Sequence, residues 1–377
     1  MSRMKNVIAL SMLVGLGACS SGEQDEQVQQ AAPQIPQLVR ADGTYPVKPL
    51  AKDVVVVKVV QHITLNIQEA ENPEVGLEEN LKRMQYWIDK ACSEGKKPDF
   101  ILFNEFPLTG YSAGPRAEKL KYTIEIPGPE TRRVGEMAKA CDTYIIFGSY
   151  ARDSDWPGHI LSLNPVINRQ GEVAQIFWKT RNATRYDPSG EVPTTTIENV
   201  RDKFRERYGI EAEYPVMQTE YGNIAVSTVQ LDPLIYAAFA MRGTEIMFRT
   251  ATGFSPTDVR AIAYYNNFYT AMSNMAVDPK LPFAEAFGGK SLIAGPGGVV
   301  LAEEPGNVET IIEAEIPIAK LREGRLLPRY PTEMVEEVFG QFQQELPLNH
   351  LDMPPDELPK TQEEMKALLD RVSRWLN

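Results

Sequence analysis

The stretch YGNIAVSTVQLDP, Tyr221 to Pro233, reads as a buried strand that runs into a sharp turn and then a helix. A helix from Leu234 to Met241 follows, closed by Gly243, and a strand over Glu245 to Phe248 comes next. Strand, turn and helix in that order are the repeating unit of an α/β fold.

The same grammar extends in both directions. Upstream, Asp53 to Val60 is a β-branched first strand, and Leu77, Leu81, Met84, Trp87 and Ile88 mark a helix over 76–94 that Gly95 ends. Asp99 to Phe103 is a continuous apolar run, as expected of a strand covered on both faces. Glu130 to Ala140 is helical, and Thr143 to Phe147 is a strand ending at Gly148. Ile160 to Ile167 and Val173 to Trp178 form a hairpin turning at Asn168 to Gly171. Ile224 to Val229 is the strand of the opening stretch. Downstream, the spacing predicts one long helix from Thr257 to Met275, then strands at Ser291–Ala294, Gly298–Leu301 and Thr310–Ile316. Adjacent strand pairs among alternating elements imply a mixed sheet with both faces covered. Beyond Arg329 the chain changes character. Pro331, Pro347, Pro354, Pro355 and Pro359 precede an amphipathic helix over Gln362 to Leu376, an extension packed onto the domain and not a second core.

The N-terminus carries a targeting pattern. Arg3 and Lys5 precede the apolar run Val7 to Leu16, too short for a stable membrane span, which ends in Leu16-Gly17-Ala18-Cys19-Ser20. Small residues before a cysteine resemble a bacterial lipoprotein cleavage box. That reading makes residues 1–18 a signal peptide and Cys19 the lipidated first residue of the mature chain, held on a membrane surface without spanning it. Ser20 at the next position implies the outer membrane of a bacterial cell envelope, facing the periplasm. Residues 19–50, rich in Gln, Ala, Pro and acids, read as a disordered tether. The domain then occupies 51–328 and the extension 329–377.

A formal charge of −12 leaves no electrostatic footprint for nucleic acid. Cys92 and Cys141 fall near predicted helix ends, where small buried hydrophobes are the favoured reading over a disulfide. His62, His159 and His350 have no partner at metal-ligand spacing, so no metal and no cofactor are expected.

Two residues carry chemistry. In DFILFNEFPLTGY, Asp99 to Tyr111, Glu105 lies just past the carboxyl end of a buried strand, where α/β sheets place catalytic groups. Phe106 and Pro107 flank it, an apolar setting of the kind that makes a carboxyl a general base. In GEVAQIFWKTR, Gly171 to Arg181, Lys179 ends a hairpin strand behind Phe177 and Trp178.

Together these segments resemble the nitrilase superfamily of carbon–nitrogen hydrolases. Further matches are Met241 to Met247 (MRGTEIM), Arg260 to Asn266 (RAIAYYN) with Ser273 to Ala276 (SNMA), and Gly288 to Gly298 (GGKSLIAGPGG). The resemblance runs in unbroken order from about Asp53 to Arg325. It implies a four-layer α-β-β-α sandwich with mixed sheets, a homodimer, and a small amide-like ligand. It also implies Glu105 as base, Lys179 as oxyanion partner, and a nucleophilic cysteine at the turn of the opening stretch. Counting forward from Gly222 puts that nucleophile at Val229; counting backward from Gly243 puts it at Ser227. A further glutamate of many members would fall near Ala151. The expected protein is therefore a membrane-tethered, amidase-like chain without thiol chemistry that binds a small amide-like ligand or acts structurally. The alternative is an amidohydrolase that uses Ser227, Thr228 or a water held by Glu105 and Lys179.

Overall fold

Val55, Val57 and Val59 point into one core while Val60, on the same strand, joins another, so the valine-rich run Val55–Gln61 (β1) is buried on both faces. A computed structural model describes residues 43–67, 70–111, 114–182, 192, 194–278 and 288–375; the signal segment, Cys19 and most of the tether lie outside the described residues. After β1 come α1 (Pro73–Ser93), β2 (Phe100–Leu102), α2 (Arg116–Leu120), α3 (Pro129–Cys141), β3 (Tyr144–Ile146), β4 (Ser149–Ala151), β5 (Leu161–Ile167) and β6 (Val173–Trp178). The chain continues with α4 (Arg201–Tyr208), β7 (Met217–Thr219), β8 (Gly222–Ser227), α5 (Pro233–Met241), β9 (Ile246–Thr250), α6 (Pro256–Asn266) and β10 (Tyr269–Ser273). It closes with β11 (Leu292–Gly295), β12 (Val299–Glu303), β13 (Thr310–Ile316), α7 (Ile318–Arg322), α8 (Thr332–Gln341) and α9 (Gln362–Val372).

The strands form two mixed sheets. The first has the order β13-β1-β2-β3-β5-β4, with β6 also paired to β5; the second has the order β12-β11-β10-β9-β8-β7. Phe100, Leu102, Tyr144 and Ile146 of the first pack against Ala225, Phe248 and Ala271 of the second. On the outer face of the first sheet, Leu81, Met84 and Ile88 of α1 and Val134 and Ala138 of α3 cover Ile101 and Ile145. On the outer face of the second, Val259 and Ala263 of α6 cover Met272 and Leu292. The result is the α-β-β-α order of layers.

The structure corrects four readings. The single helix expected over Thr257 to Met275 stops at Asn266, because Asn267 takes a left-handed conformation (φ 51). Tyr269 to Ser273 then becomes β10, parallel to β9 and antiparallel to β11. Cys92 and Cys141 are joined in a disulfide, since the last turns of α1 and α3 converge over the first sheet. The packed chain also begins before Leu50: Tyr45 is buried, and its hydroxyl donates to Glu245 Oε1 at 2.9 Å. The last helix ends at Val372, short of the expected Leu376.

In the extension, Leu351, Leu358, Met365, Leu368 and Leu369 share a small core with Trp156, Leu161, Leu163 and Phe204. Helix α8 adds no buried residue to the fold.

Candidate active site

Glu105 belongs to the loop after β2, and that loop is bound to both sheets. Gly148 N donates to Asn104 O at 3.0 Å, beside the end of β3. Glu105 N donates to Ala251 O at 3.3 Å, just past β9. The Asn104 side chain folds back to accept from Phe106 N at 2.9 Å, an Asx turn that sharpens the loop. Gly148 is required here, because a Cβ on it would stand 2.5 Å from the Glu105 carbonyl oxygen. Lys179 follows β6, with its N–H on Ser162 O (3.0 Å) and its carbonyl accepting from Ile197 N (3.1 Å). The two side chains meet: Lys179 Nζ donates to Glu105 Oε1 at 2.9 Å.

The opening stretch turns just past the end of β8. Ser227 ends β8, and the chain turns through Thr228, Val229, Gln230 and Leu231 before Pro233 starts α5. Leu231 has φ 59, a left-handed conformation that is unusual for a bulky side chain. Successive side chains go to opposite sides of the sheet. Thr228 reaches toward the first sheet, where its hydroxyl meets Asn164 Oδ1 at 3.1 Å and Thr250 Oγ1 at 3.2 Å. Asn164 completes the cluster by donating to Thr228 Oγ1 at 2.8 Å and accepting from Thr250 at 2.6 Å. Ser227 faces the other way, under α5, where its Oγ lies 3.3 Å from the Tyr236 hydroxyl oxygen. The phenol of Tyr236 is pushed up to about 12 by burial, so it remains a neutral donor.

Val229 is buried, and its carbonyl accepts from both the Tyr236 hydroxyl and Arg249 Nη2. Arg249, wholly buried on β9, also pairs with Asp258 Oδ2 at 2.7 Å, and its guanidinium lies over the rings of Tyr236 and Phe254. Asp258 Oδ1 in turn accepts from Leu231 N at 3.3 Å. This clamp fixes the turn, and the sequence reading missed it: the expected strand stopped at Phe248, one residue before the arginine. An arginine inside an apolar run was the available signal, since a buried cation needs a partner.

Two residues after Lys179, Arg181 makes ion pairs of its own. Arg181 Nη1 stands 2.9 Å from Asp232 Oδ2, and its Nε lies 4.0 Å from Glu198 Oε2. Burial holds the Glu198 carboxyl above its usual range. Ala151, the position reckoned for a further glutamate, is a fully buried residue of β4. Cys92 and Cys141 are committed to their disulfide at the ends of α1 and α3.

A fold of two stacked mixed sheets, with a lysine and a glutamate brought together at their strand ends, defines a class. The profile of the carbon-nitrogen hydrolase family matches residues 64–326, and the chain belongs to that family. It is 26% identical over 259 residues to an omega-amidase of Xenopus tropicalis, a match covering 66% of this chain and 86% of the relative. It is 36% identical over 110 residues to the protein N-terminal amidase of Saccharomyces cerevisiae, but that match takes in only 23% of the yeast protein. Among solved structures, an amidase from Nesterenkonia sp. superposes with a TM-score of 0.56 at 17% identity, covering 77% of this chain and 98% of that one. That likeness carries the fold.

Proposed function

We propose that this protein holds a small primary amide between Glu105 and Lys179 without hydrolysing it through a thiol, as a lipid-anchored carbon-nitrogen hydrolase-fold protein of a bacterial cell envelope. The observation that carries the reading is the Glu105–Lys179 contact at 2.9 Å, taken with a stretch from Tyr221 to Pro233 that contains no cysteine. An amide is complementary to such a pair. Its oxygen accepts from the Lys179 ammonium, and its N–H donates to the Glu105 carboxylate. Cysteine-dependent hydrolysis needs a thiolate to form the covalent intermediate. Val229 supplies no ionisable group, and the Ser227 hydroxyl is turned toward Tyr236. The serine alternative is therefore the less supported reading.

The disulfide between Cys92 and Cys141 suits an oxidising compartment, in keeping with the lipoprotein reading of Cys19. Assembly as a homodimer belongs to the same proposal. Calorimetric titration of the purified protein with propionamide tests ligand binding. Saturable binding that Glu105→Gln removes is expected; no binding to the wild type, or equal binding by Glu105→Gln, overturns it.

A further inference from the structure

Helix α8 carries an apolar stripe that the described residues leave largely uncovered. Met334, Val335, Val338, Phe339 and Phe342 fall within a single arc of roughly 140° at about 100° per residue, while Glu333, Glu336, Glu337 and Gln341 occupy the opposite arc. None of its residues is buried; Val335 is partly covered, while Met334, Val338, Phe339 and Phe342 are exposed, from 53% at Phe339 to 83% at Met334. Trp375, also exposed, extends the stripe, with its ring edge-on to Phe342 at 6.2 Å.

The helix is nonetheless held in place at both ends. Before it, the Tyr330 hydroxyl donates to Asn266 Oδ1 at the end of α6. After it, Trp375 Nε1 donates to Gln343 O at 2.8 Å and Arg374 N to Glu345 O at 2.8 Å. A positioned helix with an uncovered apolar face is a docking element.

Where the N-terminal segment joins the fold indicates what covers it. Gly43, the first described residue, accepts at its carbonyl from Leu327 N at 3.1 Å. Thr332 opens α8 only five residues further along, at most about 18 Å of chain. The chain that leads from Cys19 therefore enters the fold beside α8, and it can span no more than about 80 Å. We infer that α8 lies flat on a lipid surface, with Phe339, Phe342 and Trp375 at the headgroup boundary and its glutamates facing water.

This inference rests on the membrane-anchored reading, and it adds a second, weak contact to the acyl anchor. Tethering raises the local concentration of surface, so a weak contact is enough to orient the domain. The acidic face predicts a preference for zwitterionic over anionic lipid. No described helix is long and apolar enough to cross a membrane.

The test uses the full mature chain in two forms, acylated and carrying Cys19→Ser. The acylated form is incorporated into vesicles of brominated phosphatidylcholine, and its tryptophan quenching is compared with that of Trp375→Phe and Phe339→Glu. Quenching lost in Trp375→Phe and reduced severalfold by Phe339→Glu is expected. The Cys19→Ser form should still cosediment with phosphatidylcholine vesicles at high lipid, about tenfold more weakly after Phe339→Glu. If native Cys19 proves unmodified while this Phe339-dependent cosedimentation persists, the anchor reading falls and the α8 inference stands. Quenching indifferent to both substitutions overturns it. So does a Phe339-dependent dimer in sedimentation velocity with no vesicle binding, which would make the stripe a contact between two copies.

Discussion

Lys179 Nζ lies 2.9 Å from Glu105 Oε1, with the glutamate side chain 5% exposed and the lysine side chain 17%. Nearly sealed from water, the two charges compensate each other. Lys179→Met removes the ammonium from a buried carboxylate and is expected to cost about 3–5 kcal/mol, whereas Glu105→Gln with Lys179→Met together should cost much less. Urea unfolding of the two single variants and the double variant measures this coupling. Additive losses would show that the two groups do not depend on each other.

This pair was legible in the sequence because each member ends a strongly apolar strand, and such ends gather in an α/β sheet. Other features were not. Tyr269 to Ser273 continues the helical spacing of Arg260 to Asn266, and only the partners waiting in β9 and β11 turn it into a strand. The Cys92–Cys141 pairing spans 49 residues and depends on how α1 and α3 converge, a tertiary fact with no local signature. The Arg249 clamp left one local sign, a cation beside an apolar run, but its partners Asp258 and the Val229 carbonyl meet it only through the fold.

The disulfide closes a loop of 49 residues, and its loss is expected to destabilise the fold by about 2–4 kcal/mol. Thermal melts of wild type and Cys92→Ser with Cys141→Ser check this. Titratable thiols at both positions in protein purified without reductant would contradict the disulfide itself.

Stability should fall in mild acid. Burial lowers His62 to about 4, and burial with nearby Arg116 lowers His159 to about 4, whereas an unfolded histidine titrates near 6.5. Between pH 6.5 and 4 the unfolded chain takes up protons that the folded chain refuses. The contribution is therefore full above about 6.5 and declines toward about 4, by an amount on the order of a few kcal/mol. Guanidinium midpoints at pH 7.5 and 4.5 should differ, and His62→Gln should narrow the gap. Equal midpoints at the two pH values would refute this.

A thiol introduced at the turn distinguishes the two registers. Val229→Cys is expected to react with iodoacetamide at neutral pH, more slowly once Glu105→Gln is added. Ser227→Cys, facing Tyr236 under α5, is expected to stay inert. Equal labelling rates for the two would remove the case for Val229 as the nucleophile position.

Whether the chain hydrolyses amides is decided by ammonia release from a panel of short aliphatic amides, with wild type measured beside Glu105→Gln and Ser227→Ala. Without a thiol, the rate should stay at background for all three proteins, several orders of magnitude below a cysteine-dependent amidase. Wild-type turnover that either substitution abolishes would contradict the account and establish a serine or water mechanism in its place.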